Sequence, residues 1–185
     1  MAKRRLETVK SFFEAGDKPG QDEFAHLIDS VYQTEVSRPT TLGADTSATS
    51  TLIRDLEGNS GIEIPAGALI TNMFIVCTTE ITLASSGDCG YKIGKNSSAS
   101  QALVTAQTAG LINSGTTLTV GKGVAMDEKM NTALAGPQII VPVVAGTSNG
   151  QMYFPSGDKI FCTITSTQNQ TAGQVVFGIQ YVKIT

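Results

Sequence analysis

Gln174-Val175-Val176-Phe177-Gly178-Ile179-Gln180-Tyr181-Val182-Lys183-Ile184 is dense in β-branched and aromatic residues and carries no internal breaker beyond one glycine. Side chains alternate across a strand, so Val175, Phe177, Ile179, Tyr181 and Lys183 share one side. That side is the more apolar and is expected to face a core, leaving Val176, Gly178, Gln180 and Val182 on the other. Lys159-Ile160-Phe161-Cys162-Thr163-Ile164-Thr165 has the same character. The polar connection Ser166-Thr167-Gln168-Asn169-Gln170-Thr171-Ala172-Gly173 suggests that these two strands pair with each other.

Working back toward the N-terminus, short strand patterns punctuated by turn residues continue. Gly61-Ile62-Glu63-Ile64-Pro65-Ala66-Gly67 leads into Leu69-Ile70-Thr71-Asn72-Met73-Phe74-Ile75-Val76-Cys77-Thr78-Thr79. Further candidates are 90–94, 102–106, 116–120 and 138–144, where Pro142 requires an edge or a bulge because it cannot donate to a ladder. About eight strands in residues 61–185 point to a mainly β fold: a β-sandwich, most economically a jelly roll.

Ahead of this body, residues 34–60 show no sustained apolar period and include Ser37-Arg38-Pro39-Thr40-Thr41 and Thr46-Ser47-Ala48-Thr49-Ser50-Thr51. This composition reads as an extended arm or linker. Residues 1–33 differ again. Phe24, Leu27, Ile28 and Val31 recur at i, i+3, i+4, i+7, the spacing of one apolar helix stripe. Gly16 can end a first helix and Pro19 fixes the turn, while Gly20 caps a second helix with Asp22 and Glu23 in its first turn. So short a helix needs packing to be stable. The expected unit is an N-terminal helical hairpin acting as a docking clip, with Phe12, Phe13, Phe24, Leu27, Ile28 and Val31 as its partner-binding residues.

The run Gly16-Asp17-Lys18-Pro19, followed by Phe24, Leu27, Ile28, Asp29 and Ser30, resembles a short motif near the N-termini of tailed-phage virion proteins, tail-fibre components included. Those proteins usually place Thr where this chain has Gly20. Ile64 to Thr71, Phe154 to Ile160 and Ala172 to Val182 also resemble segments of phage capsid-decoration, fibre and knob modules. Such modules are β-sandwiches that often assemble as trimers, so the resemblance implies scaffolding work in a homotrimer.

Composition sets further bounds. The 185 residues are 41% apolar and 16% charged, with 19 Gly and no Trp. A net charge of −3 argues against broad nucleic-acid binding, which needs a basic face. The cluster Lys3-Arg4-Arg5 reads as a solvated terminus that could touch an acidic partner. No apolar run approaches the ~18 residues that span a bilayer, and Leu6-Glu7-Thr8-Val9-Lys10 does not continue the basic cluster as a signal peptide would. Synthesis in the host cytoplasm, without membrane association, is the expectation.

The residues carrying chemistry are sparse. His26 is the sole histidine, and a lone histidine supports neither a catalytic triad nor a metal cluster. Cys77, Cys89 and Cys162 lack C-x-x-C spacing. Cys77 and Cys162 sit in apolar strand patterns and are expected in the core, with Cys89 more exposed. Ile93-Gly94-Lys95-Asn96-Ser97 fails as a phosphate loop, since Cys89 stands where the first Gly belongs and Asn96 replaces Ser or Thr. Gly121-Lys122-Gly123-Val124-Ala125-Met126 lacks the third Gly of a dinucleotide fingerprint. Asp127-Glu128 beside Lys129 reads as a solvated turn.

The expected protein is therefore not an enzyme and needs neither cofactor nor metal. It is a virion structural protein on the capsid surface, a cement or decoration protein bound to the major capsid protein or other virion subunits. The alternatives are a tail-fibre or knob component and a carbohydrate-binding receptor module, for which Tyr91, Tyr153 and Tyr181 are the aromatic candidates.

Overall fold

The computed structural model describes residues 33–42, 49–96, 103–104, 107–126, 152–166 and 173–184. The clip, with His26, therefore lies outside the described residues, as do Pro142 and Asp127-Glu128-Lys129. The described chain is mainly β, in eleven strands: β1 Gln33–Val36, β2 Thr40–Leu42, β3 Thr49–Leu52, β4 Ile62–Ile64, β5 Ala68–Thr79, β6 Ile81–Gly94, β7 Gln107–Leu118, β8 Gly123–Ala125, β9 Tyr153–Phe154, β10 Asp158–Ser166 and β11 Gly173–Lys183.

Two antiparallel sheets result. One has the order β1-β11-β5-β8, with β2 also on β11 and β9 also on β5; the other has the order β3-β10-β6-β7, with β4 also on β10. Both contribute to one apolar core. Val175, Phe177, Ile179 and Tyr181 of β11 are buried as the alternation required, alongside Ile70, Met73 and Ile75 of β5. Ile81, Leu83, Tyr91, Ile93, Ile160 and Ile164 come from the second sheet.

β10 and β11 do not pair, contrary to the expectation from their adjacency. β11 lies between β1 and β5, while β10 lies between β3 and β6. The physical reason is the shared core: each strand has one apolar face, and placing the two in opposite sheets lets both faces bury toward each other. Residues 167–172 also exceed the about 2–5 residues of a hairpin loop.

Within residues 34–60 the described parts, 34–42 and 49–60, include strands β1, β2 and β3 that pair with the body. Antiparallel pairing joins Thr34 to Gln180 and Val36 to Gly178, Thr40 to Val175, and Leu52 to Thr163. This segment thus laces an outer strand onto each sheet. Ser37 is the clamp. Its N–H donates to the Phe177 carbonyl at 2.8 Å, and the Phe177 N–H donates to Ser37 Oγ at 3.0 Å. An edge strand needs only one covered face, so Ser and Thr serve there without the apolar alternation by which a central strand is recognised.

The two Pro-x-Gly turns of the sequence meet at one end of the body. Gly67 N–H donates to the Phe154 carbonyl at 2.8 Å, and Gly157 N–H to the same carbonyl at 3.4 Å. Gly157 has φ of 75°, and a Cβ there would sit 2.9 Å from the Ile64 carbonyl oxygen, so this turn requires glycine. Lys95 closes the corner, 2.6 Å from Asp158 and with its ammonium over the Phe154 ring.

All three cysteines are free and buried. Cys77 and Cys162 lie where expected, but Cys89 does not: it is 0% exposed, opposite Ser166 on β10 and Ile112 on β7. Its Gly-rich neighbourhood reads as a turn, yet pairing on both sides holds it as strand. Burial pushes the Cys89 thiol up to about 12 from 9.0, and raises Cys162 and Cys77 as well. Below pH 9 the folded and unfolded chains hold these protons equally. Above it the unfolded thiols ionise first, so stability is expected to fall between pH 9 and 12, by about 1.4 kcal/mol per pH unit for Cys89, with Cys162 and Cys77 acting in the same direction. Denaturant midpoints measured from pH 7 to 11 check this, and a flat profile would contradict it. Thiol reagents should label none of the three until the protein unfolds.

Candidate interaction surface

The sequence-derived partner residues Phe12, Phe13, Phe24, Leu27, Ile28 and Val31 all lie outside the described residues. The described chain enters at Gln33, whose strand runs antiparallel to β11 from Tyr181 onward. Tyr181 is 2% exposed. Its hydroxyl donates to Gln33 Oε1 at 2.9 Å and lies 3.4 Å from Glu35 Oε1. Burial first, then the Glu35 charge and hydrogen bond, push its pKa up to about 12.

Beside this junction is an acidic groove of about 420 Å³ lined by Glu35, Asp55, Glu57 and Glu63, with Val36, Leu56, Asn59 and Ile62. The Arg54–Gly61 loop shapes one wall. Asp55 accepts from the Asn59 N–H at 2.6 Å and from Asn59 Nδ2 at 3.0 Å, and Arg54 Nη1 donates to the Gly58 carbonyl at 3.0 Å. Slight desolvation raises the Asp55 pKa, but the bonds from the Asn59 side chain and from the backbone of Asn59, Gly58 and Glu57 together hold it below the usual value. The groove is thus anionic and open. The four carboxylates are dispersed over residues 35–63, three of them in the stretch read as linker, so nothing in their spacing announces a groove.

Among the described residues no group of three or more His, Cys, Asp or Glu is placed to hold a metal ion. No helix among them is long and apolar enough to cross a membrane. Of the three tyrosines considered for a sugar platform, Tyr91 and Tyr181 are core residues, and Tyr153 is 41% exposed. Buried rings cannot stack on a ligand.

An apolar corner forms where β9, β5 and β11 run side by side. Leu69 pairs with Tyr153 on one flank and Val182 on the other, so the three side chains point to the same outer face. Ile184 continues that row two residues on, with its N–H donating to the Gly67 carbonyl at 2.7 Å. Tyr153 and Ile184 are exposed, while Leu69 and Val182 are half-buried.

No family model matches this chain, and no curated protein does. Among solved structures, a chain in the capsid asymmetric unit of cyanophage Pam1 is similar at 12% identity and a TM-score of 0.37, over 81% of this chain and 83% of that one. A chain in the structure of infectious bursal disease virus, Gx strain, is similar at 12% identity and a TM-score of 0.25, over 82% of this chain and 33% of that one.

Proposed function

We propose that this chain is a structural protein of a tailed-phage virion, a capsid cement or decoration protein that contacts the major capsid protein or other virion subunits at the particle surface. The observation carrying the reading is the strand order. Numbering the strands of an eight-stranded jelly roll B to I, the orders β1-β11-β5-β8 and β3-β10-β6-β7 correspond to B-I-D-G and C-H-E-F. This correspondence supports a jelly roll, an architecture used in viral capsid and lectin domains. The Gly16 to Ser30 resemblance then favours the virion over the lectin, and the burial of Tyr91 and Tyr181 weighs the same way.

Function in this reading is binding, without catalysis or cofactor. Each protomer brings a clip and a β-body to a symmetric particle surface. In a homotrimer, three modest contacts raise one another's effective concentration, so the assembly holds far more tightly than a single protomer would. Buried clip side chains would each contribute about 1.5–3 kcal/mol, offset in part by ordering the segment.

Light scattering of the purified protein, paired with mass-spectrometric stoichiometry of the particle, tests the assignment. A trimer present in hundreds of copies is the expected result, whereas a handful of copies would move the protein to the tail and absence would remove it from the virion. The pair Phe24→Ala and Leu27→Ala should abolish incorporation while the β-body stays folded. Undiminished incorporation would contradict the anchoring role.

A further inference from the structure

The loop from Asp55 to Asn59 presents a rigid anionic tip. Leu56 and Glu57 stand at its turn, both exposed, Leu56 by 59%. The turn is held by the Asp55 N–H donating to the Asn59 carbonyl at 3.0 Å, by the Gly58 N–H donating to the Asp55 carbonyl at 3.2 Å, and by the two bonds from Asn59 to the Asp55 carboxylate. A single exposed leucine is ordinary on a protein surface. A leucine fixed between two carboxylates and next to a cationic pocket has a more particular setting.

That pocket, of about 400 Å³, lies at the start of the same loop, where Arg38 and Arg54 line it together with Pro39, Leu52, Thr40 and Thr51. The Arg38 N–H donates to the Arg54 carbonyl at 3.2 Å. Both guanidiniums reach Gly58: Arg54 Nη1 donates to its carbonyl, and a Cβ there would lie 3.4 Å from Arg38 Nη1. Two cations are thus gathered in one place, and the bond to Gly58 uses only one of the five N–H groups that Arg54 carries. Among the described residues the ion pairs are those of Lys95 and Lys159, and neither arginine nor Glu57 takes part in one. The chain's own tip lines the acidic groove instead, and groove and pocket share no residue.

We infer that the pocket of Arg38 and Arg54 receives the Leu56-Glu57 tip of a second copy of this chain. The Glu57 carboxylate meets the guanidiniums, whose planar fork of donors matches a carboxylate, and Leu56 lies against Pro39 and Leu52. Charge complementarity names the occupant. The pocket is cationic and the tip anionic, and each copy carries one of each, so a closed symmetric assembly satisfies both in every copy. Because the tip is already held in shape, docking it costs little further ordering. The contact deepens the homotrimer reading, on which it rests, by naming the surfaces that meet.

Charge exchange in the full-length protein, read by sedimentation equilibrium, tests it. Glu57→Arg and Arg38→Glu each change an exposed side chain and should leave the circular dichroism spectrum and the denaturant midpoint unaltered, while self-association weakens by about tenfold or more. With both substitutions on one chain the two charges are reversed together, the tip again meets an opposite charge, and most of the loss should be recovered. Leu56→Ser removes the apolar part of the tip with no change of charge and should weaken association as well. An unchanged constant in all three single variants, or a double variant no tighter than the singles, overturns the contact and leaves the homotrimer reading standing if the wild type is a trimer. A wild type that stays monomeric at every concentration overturns both.

Discussion

Phe177→Ala is expected to lower the free energy of unfolding by about 3–5 kcal/mol. Phe177 is 0% exposed at the centre of β11, joined to Ser37 on one flank and opposite Ile75 of β5 on the other. Deleting its ring removes apolar surface from the core shared by both sheets and leaves a cavity between strands that are hydrogen-bonded and cannot close on it. The bonds linking Phe177 to Ser37 are made by the backbone N–H and carbonyl, so the substitution leaves the clamp in place and reports the side chain alone. Denaturant unfolding with an unchanged m-value is the measurement. A loss under about 1.5 kcal/mol, the cost of a volume-conserving swap, would mean that the ring is not central to the core.

Two glycine substitutions separate a rigid obstacle from a movable one. A Cβ on Gly123 would run into the Ile75 carbonyl oxygen and lie 2.9 Å from the Val76 Cα. These are backbone atoms of the central strand β5, to which β8 is joined through only three residue pairs. Neither side can yield without breaking that pairing. Gly123→Ala should therefore cost about 3 kcal/mol, the upper part of the overpacking range, or about 6–12 °C in Tm.

Gly178 presents a clash of similar closeness, but with the Phe74 ring. That ring lies on the outer face and is half-buried, so it can swing toward solvent. Gly178→Ala should cost about 1 kcal/mol. Equal losses at the two positions would overturn the distinction between backbone and side-chain obstacles.

The acidic groove and the apolar corner were not legible in advance, for different reasons. Glu35, Asp55, Glu57 and Glu63 converge because β1 sits on one sheet while β3 and β4 sit on the other, with the Arg54–Gly61 loop between. Tyr153, Leu69 and Val182 become neighbours through register alone. A convergence of this kind has no period to detect.

What could be read from the residues was whatever depends on local period. The mainly β class, the inward face of β11 and the burial of Cys77 and Cys162 all follow from apolar side chains recurring at every second position, since a strand with one apolar face must cover it. Pairing is different in kind. Apolar alternation says that β10 and β11 each need a core, but not that they face each other from opposite sheets. Threonine-rich segments say nothing of the edges to which β1, β2 and β3 bind. Cys89 became buried because strands distant in sequence close over it on both sides. Those outcomes belong to the tertiary structure, because backbone hydrogen bonds between strands are nearly blind to side-chain identity, and the partner is chosen only when the whole core closes.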